Sequence, residues 1–167
     1  MLTPRNIFLV GPMGAGKSTV GRQLSKALRK RFIDSDKAIE ERTGASISLI
    51  FDLEGEAGFR HREQTILDEL TALDEIVLAT GGGAVLDENN RANLMSRGFV
   101  VYLQAPVELL VERTSRDRTR PLLQTDDTHA RVSELLTERD PIYRQVADTI
   151  VQTDRRSARH VVREIQI

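Results

Sequence analysis

Short apolar runs alternate along this chain with longer stretches whose apolar residues return at helical spacing. Ile7-Phe8-Leu9-Val10 reads as a strand, and Val20, Leu24, Ala27 and Leu28 then mark one face of a helix. Arg31-Phe32-Ile33 is a second strand ending at Asp34. Helical patterns follow at 36–43, 46–53 and 56–73, and Ile76-Val77-Leu78-Ala79 is a third strand. Phe99-Val100-Val101-Tyr102-Leu103 is a fourth, before a helix opening at Pro106. A long helical pattern covers 128–147, Thr149-Ile150-Val151 is the last strand, and Val161, Val162 and Ile165 belong to a final helix. This order predicts an α/β three-layer sandwich, with a parallel sheet of about five strands covered by helices on both faces. No linker, repeat or low-complexity tract interrupts the pattern, so residues 1–167 are expected to form one domain. Ligands of such sheets gather beyond the carboxyl ends of the strands, where the chemistry is to be sought.

After the first strand comes GPMGAGKST, residues 11–19, which fits the phosphate-binding loop G-x-x-x-x-G-K-[ST]. Gly14 and Gly16 allow a tight turn that aims successive N–H groups, those of Ala15 and Thr19 among them, at phosphate oxygens. Lys17 supplies a point charge for the β- and γ-phosphates, and the Ser18 hydroxyl is a hard oxygen ligand for Mg²⁺. A strand before the motif and a helix after it complete a nucleotide site of the P-loop NTPase kind.

The second strand ends in Asp34-Ser35-Asp36. In extended chain, residues two apart share a side, so both carboxylates are expected to face the cleft. Asp34 suits the Mg²⁺ side, through a metal-bound water. Asp36 has two readings: a proton acceptor for an attacking hydroxyl, or a cap on the next helix. The third strand runs into Thr80-Gly81-Gly82-Gly83, whose bare backbone suits a substrate wall. Arg139 interrupts the apolar stripe of Val132, Leu135, Leu136, Tyr143 and Val146. An unpaired cation there is costly, which points to an anionic ligand. Pro141 is expected to bend the same helix. Arg60 has Glu63 three residues on, a spacing that locks its orientation. The plain alternative for either arginine is a surface side chain with its head in water. Residues 115–127, SRDRTRPLLQTDD, are polar and arginine-rich: either a solvated loop or a lid that closes over the nucleotide.

Composition narrows the partners. With 24 basic and 25 acidic residues the formal net charge is −1, so no basic excess exists for nucleic acid. Aromatics make up 4% of residues, too few for a base-stacking surface. Cysteine is absent, which excludes disulfides and thiol chemistry. MLTPRNIFLV carries no signal segment and no apolar run reaches membrane-spanning length, so a cytoplasmic chain without a membrane partner is expected.

Taken together, GPMGAGKST, DSD of 34–36, FRHRE of 59–63, GGG of 81–83, RPLL of 120–123, RDPIYRQVA of 139–147 and TDRRS of 153–157 resemble the shikimate kinases from end to end. The resemblance implies transfer of the ATP γ-phosphate to the 3-hydroxyl of shikimate, in aromatic amino acid synthesis. ATP would be the co-substrate with one Mg²⁺ per subunit, and the chain a monomer. By position it gives Lys17, Asp36 and Arg120 the catalytic roles, Arg120 being the arginine of the lid. Gly14 to Thr19, with Arg113, Arg120 and Arg156, would hold the nucleotide, and Ser18 and Asp34 the metal. Asp36, Arg60, Gly82 and Arg139 would bind shikimate, the two arginines taking its carboxylate. His61, His129 and His160 match no catalytic position. A gluconate-type kinase shares the P-loop but not GGG or RDPIY, and a nucleotide switch has no use for the paired carboxylates and arginines.

Overall fold

The computed structural model describes residues 4–114, 128–153 and 158–166. The expected lid at 115–127, with Arg120, and Arg156 lie outside them. Five parallel strands form one sheet in the order β2-β3-β1-β4-β5: β1 (Ile7–Val10), β2 (Arg31–Asp34), β3 (Ile76–Ala79), β4 (Phe99–Gln104) and β5 (Thr149–Gln152). The strand order reverses direction beside β1, so the loop leaving β1 opens into the crevice that such a reversal creates.

Alternation along each strand sends side chains to two cores. Ile7, Leu9, Val101 and Leu103 pack with residues of α1 (Lys17–Leu28), α5 (Val107–Thr114) and α7 (Ala158–Gln166). Phe8, Val10, Val100 and Tyr102 face α2 (Ser35–Thr43), α3 (Ile47–Thr71) and α4 (Glu88–Arg97). One helix serves both cores. In α6 (Thr128–Val146), Val132 and Leu135 join the first core while Tyr143 and Val146 join the second, and the helix runs on through Pro141. Arg139 lies between these two sets.

Local chemistry explains the boundaries. Asp34 caps α2 by accepting from the amides of Asp36 and Lys37, and Gly44 ends it at φ 73°. Ser46 caps α3. At Gly55, φ 73° and ψ 179° break α3 into two helical pieces, matching the separate patterns expected on either side. Pro106 stands one residue ahead of α5, its carbonyl accepting from Leu109 and Leu110.

The structure departs from several of these expectations. Asp36 is in the first turn of α2, not in extended chain, and the cap is Asp34. Ala27 is exposed, whereas Gly21 and Ser25 are buried. Gly21 is required because a Cβ there would come within 2.5 Å of Phe32 Cε1. The 3₁₀ turn at Ala84–Leu86 and helix α4 were not expected.

Candidate active site

The P-loop leaves β1 and enters α1 with Gly14 at φ 85° and Gly16 at φ 96°, conformations that favour glycine. A Cβ on Gly14 would also lie 2.9 Å from Thr114 Cγ2. Lys17 Nζ donates to the carbonyls of Gly11 and Pro12 at 2.5 and 2.9 Å, which holds its charge over the loop. Ser18 Oγ donates to Asp34 Oδ2 at 2.6 Å, while Asp34 Oδ1 takes the helix amides. Asp34 therefore caps α2 and faces the P-loop at once. Arg113, exposed on α5, donates to the Gly14 carbonyl at 2.9 Å.

Two cavities open at this edge. The first, of about 420 Å³, is walled by P-loop residues including Gly14 to Thr19, with Arg113 and Thr153 opposite. The second, of about 370 Å³, lies under α2 and α3 and is lined by Phe51, Phe59, Arg60, Glu63 and Lys37. Met13, Ser18, Asp34, Asp36, Gly81 and Gly82 line both. The joint between the cavities thus carries the P-loop hydroxyl, both carboxylates and the glycine wall.

The glycines are needed less for exposed N–H groups than for close packing. None of the three has positive φ, and the Gly81 amide is already bonded to Ser35 Oγ at 3.1 Å. A Cβ on Gly81 would lie 2.8 Å from Asp36 Oδ1 and 3.0 Å from Glu63 Oε2, and one on Gly83 would overlap the Arg60 guanidinium. At Gly82 it would meet Met13 Cγ at 3.2 Å and Arg139 Nη1 at 3.7 Å. The strand end is bare so that the charged groups can close on it.

Arg60 and Glu63 form the pair that their spacing suggests: Nη1 donates to Oε1 at 2.9 Å, with Glu63 1% exposed. Burial pushes the Glu63 carboxyl up to about 7 against the opposing pull of Arg60, with Asp36 adding to the rise. Arg139 is 4% exposed, and its Nε has no hydrogen-bond partner among the described residues. Water-deprived guanidinium groups call for an anion. Arg139 lines neither of the two cavities. It stands behind Gly82 beside a space of about 20 Å³ shared with Met13 and Tyr143.

Ser18 and Asp34 offer hard oxygens at the joint, as Mg²⁺ requires. Among the described residues no cluster of three or more acidic, histidine or cysteine side chains could cage a metal.

The shikimate kinase family model matches residues 13–167. The chain belongs to the shikimate kinase family. It is 61% identical to the shikimate kinase of Halorhodospira halophila over 163 residues, 98% of this chain and 92% of that protein. It is 61% identical to that of Pseudomonas entomophila over 161 residues, 96% of this chain and 94% of the other. The structure of shikimate kinase from Acinetobacter baumannii in complex with shikimate superimposes with a TM-score of 0.96 at 52% identity, covering 97% of this chain and 90% of that one. The enzyme from Aquifex aeolicus gives 0.84 at 37% identity, covering 96% and 94%. This shikimate kinase fold brings Lys17, Ser18, Asp34, Asp36, Arg60 and Gly82 to one edge, with Arg139 directly behind. Sequence reasoning missed Met13, which touches both cavities from a position the P-loop motif leaves free, and the hydroxyl of Tyr143.

Proposed function

We propose that this single-domain chain, residues 1–167, phosphorylates the 3-hydroxyl of shikimate with ATP, giving ADP and shikimate 3-phosphate. The observation that carries the reading is the shared edge of the two cavities. A nucleotide in the first would present its γ-phosphate where Ser18, Asp34 and Asp36 border the second. Gluconate, the nearest alternative acceptor, is not favoured by relatives that are shikimate kinases.

Roles follow from the positions. Gly14, Ala15, Gly16 and Thr19 would cradle the phosphates, and Arg113 flanks the nucleotide. Arg120 of the lid and Arg156 are assigned by resemblance. Lys17 would leave its carbonyl partners for the phosphates and follow charge into the transition state. Asp36 would face the acceptor hydroxyl while Arg60 and Arg139 grip its carboxylate, with Gly82 permitting close approach. As the 3-oxygen bonds to the γ-phosphorus, the bond to the bridging oxygen breaks and its electron pair leaves with ADP. The hydroxyl proton passes toward Asp36. Such transfers are loose and need positioning more than strong base catalysis. Mg²⁺, held on the protein side by Ser18 and by Asp34 through water, would supply charge neutralisation at the phosphates.

The chain would act as a cytoplasmic monomer without nucleic-acid or membrane partners. Among the described residues no helix is long and apolar enough to cross a membrane. The test is ADP release measured with shikimate, with gluconate and with neither. Rapid release with shikimate alone is expected. Equal release with gluconate, or without an acceptor, would overturn the assignment.

A further inference from the structure

Tyr143 is fully buried, and it lines neither of the two cavities of the site. Its hydroxyl donates to the Gly82 carbonyl at 2.5 Å, tying α6 to the glycine wall across 61 positions of sequence. Arg139, one helical turn earlier, lines the same small space as Tyr143 and Met13. Burial pushes the phenol up to about 12, with Arg139 acting in the other direction, so the group stays a donor at neutral pH. The ring itself is clamped from behind. It stacks on Tyr102 with centroids 4.9 Å apart. Tyr102 in turn donates to Asp140 at 2.6 Å, and Asp140 accepts from Arg144 at 2.8 Å.

A hydroxyl held this rigidly bears on two groups that the acceptor would touch. It sets the backbone of Gly82, which packs so close to Met13 that an added Cβ would lie 3.2 Å from Met13 Cγ. It also shares a small space with Arg139, whose Nε has no hydrogen-bond partner among the described residues.

We propose that Tyr143 is a positioning residue for the phosphoryl acceptor, its hydroxyl holding the Gly82 wall, beside the Arg139 guanidinium, in the one arrangement that receives a carboxylate. The proposal rests on the shikimate kinase reading and adds to it a residue that does not touch substrate.

Tyr143→Phe keeps the stacked ring and removes only the donor. The KM for shikimate should rise about tenfold, with the KM for ATP changed less than about twofold, because one hydrogen bond that holds the wall beside that guanidinium is lost. Tyr102→Phe is the matched control: it removes the other buried hydroxyl of the same ring pair but none that meets the wall. It should lower Tm while leaving the KM for shikimate near the parent value. A Tyr143→Phe enzyme with lowered Tm and unchanged KM for shikimate would overturn the proposal, as would equal rises in both KM values or the same shift in Tyr102→Phe. Parent enzyme in the same assay separates the two levels. If it turns over shikimate normally, failure touches only Tyr143; if it does not, the functional reading falls with it.

Discussion

Glu63 shows how one buried side chain links stability to function. Its carboxyl is nearly out of contact with water, pairs with Arg60, and is pushed up to about 7, chiefly by burial. The unfolded chain would hold its proton only to about 4.5. Between these values the folded state binds the extra proton, so this group's contribution to stability falls as pH rises from 4.5 to about 7 and is level outside that window. A shift of this size corresponds to about 3 kcal/mol across the window. Glu63→Gln should therefore show a stability-versus-pH curve that differs from the parent's mainly between those limits, losing the parent's downward slope. Parallel melting curves from pH 4 to 8, within roughly 1 kcal/mol, would mean that Glu63 titrates as an ordinary carboxyl. The sequence spacing gave the Arg60–Glu63 pair, since three residues on a helix bring side chains together. Glu63 also stands in line with Phe59, Leu67 and Leu70, which hints at burial, but its near-complete burial depends on β3 ending in glycines that let Glu63 press against the strand end. Asp36 was placed in the right cleft for the wrong local reason. The capping strength of Asp34, worth about 1 kcal/mol, starts the helix a residue earlier than the apolar pattern implied.

At the scale of elements, β1, β3 and β4 were legible because each is a short apolar run buried on both faces, and the half-exposed edge strands β2 and β5 still carry short apolar runs. Helix α4 was not, because only Asn90 and Leu94 of its residues are buried and no apolar stripe exists to be read. Its signals were Asp87, which accepts from the Asn90 amide as a cap, and Gly98 at the far end. The link between α6 and the wall was equally hidden: a tyrosine in an apolar stripe looks like core, and its backbone partner comes from another element. The glycine wall makes a sharp prediction. Gly83→Ala would drive a methyl group into the Arg60 guanidinium, where the helix and Glu63 leave it little room to retreat. The KM for shikimate should rise by at least about tenfold as the charge-assisted contact is displaced, while the KM for ATP holds. An unchanged KM for shikimate would show that Arg60 is free to move and is not a fixed part of the acceptor cavity.

For the whole molecule, the sheet divides the interior into two cores, and α6 spans both at the carboxyl edge. Each core builds one half of the site. The side with α1, α5 and α7 supports the P-loop, and the side with α2 and α3 supports the second cavity. The halves meet where the chain has Ser18, Asp34, Asp36 and Gly82, with Arg139 at the crossing of α6. In the proposed reaction Arg60 and Arg139 read a carboxylate on the acceptor while ATP is held elsewhere. The most direct measurement compares kcat/KM for the parent and for Arg139→Ala, each with shikimate and with an analogue whose carboxylate is replaced by a neutral group. Arg139→Ala should use shikimate roughly 10- to 100-fold less well, the effect of losing a charge-assisted contact. It should lose little more on the analogue, because both changes remove the same interaction. Additive, independent losses would contradict the account and show that Arg139 does not touch the carboxylate.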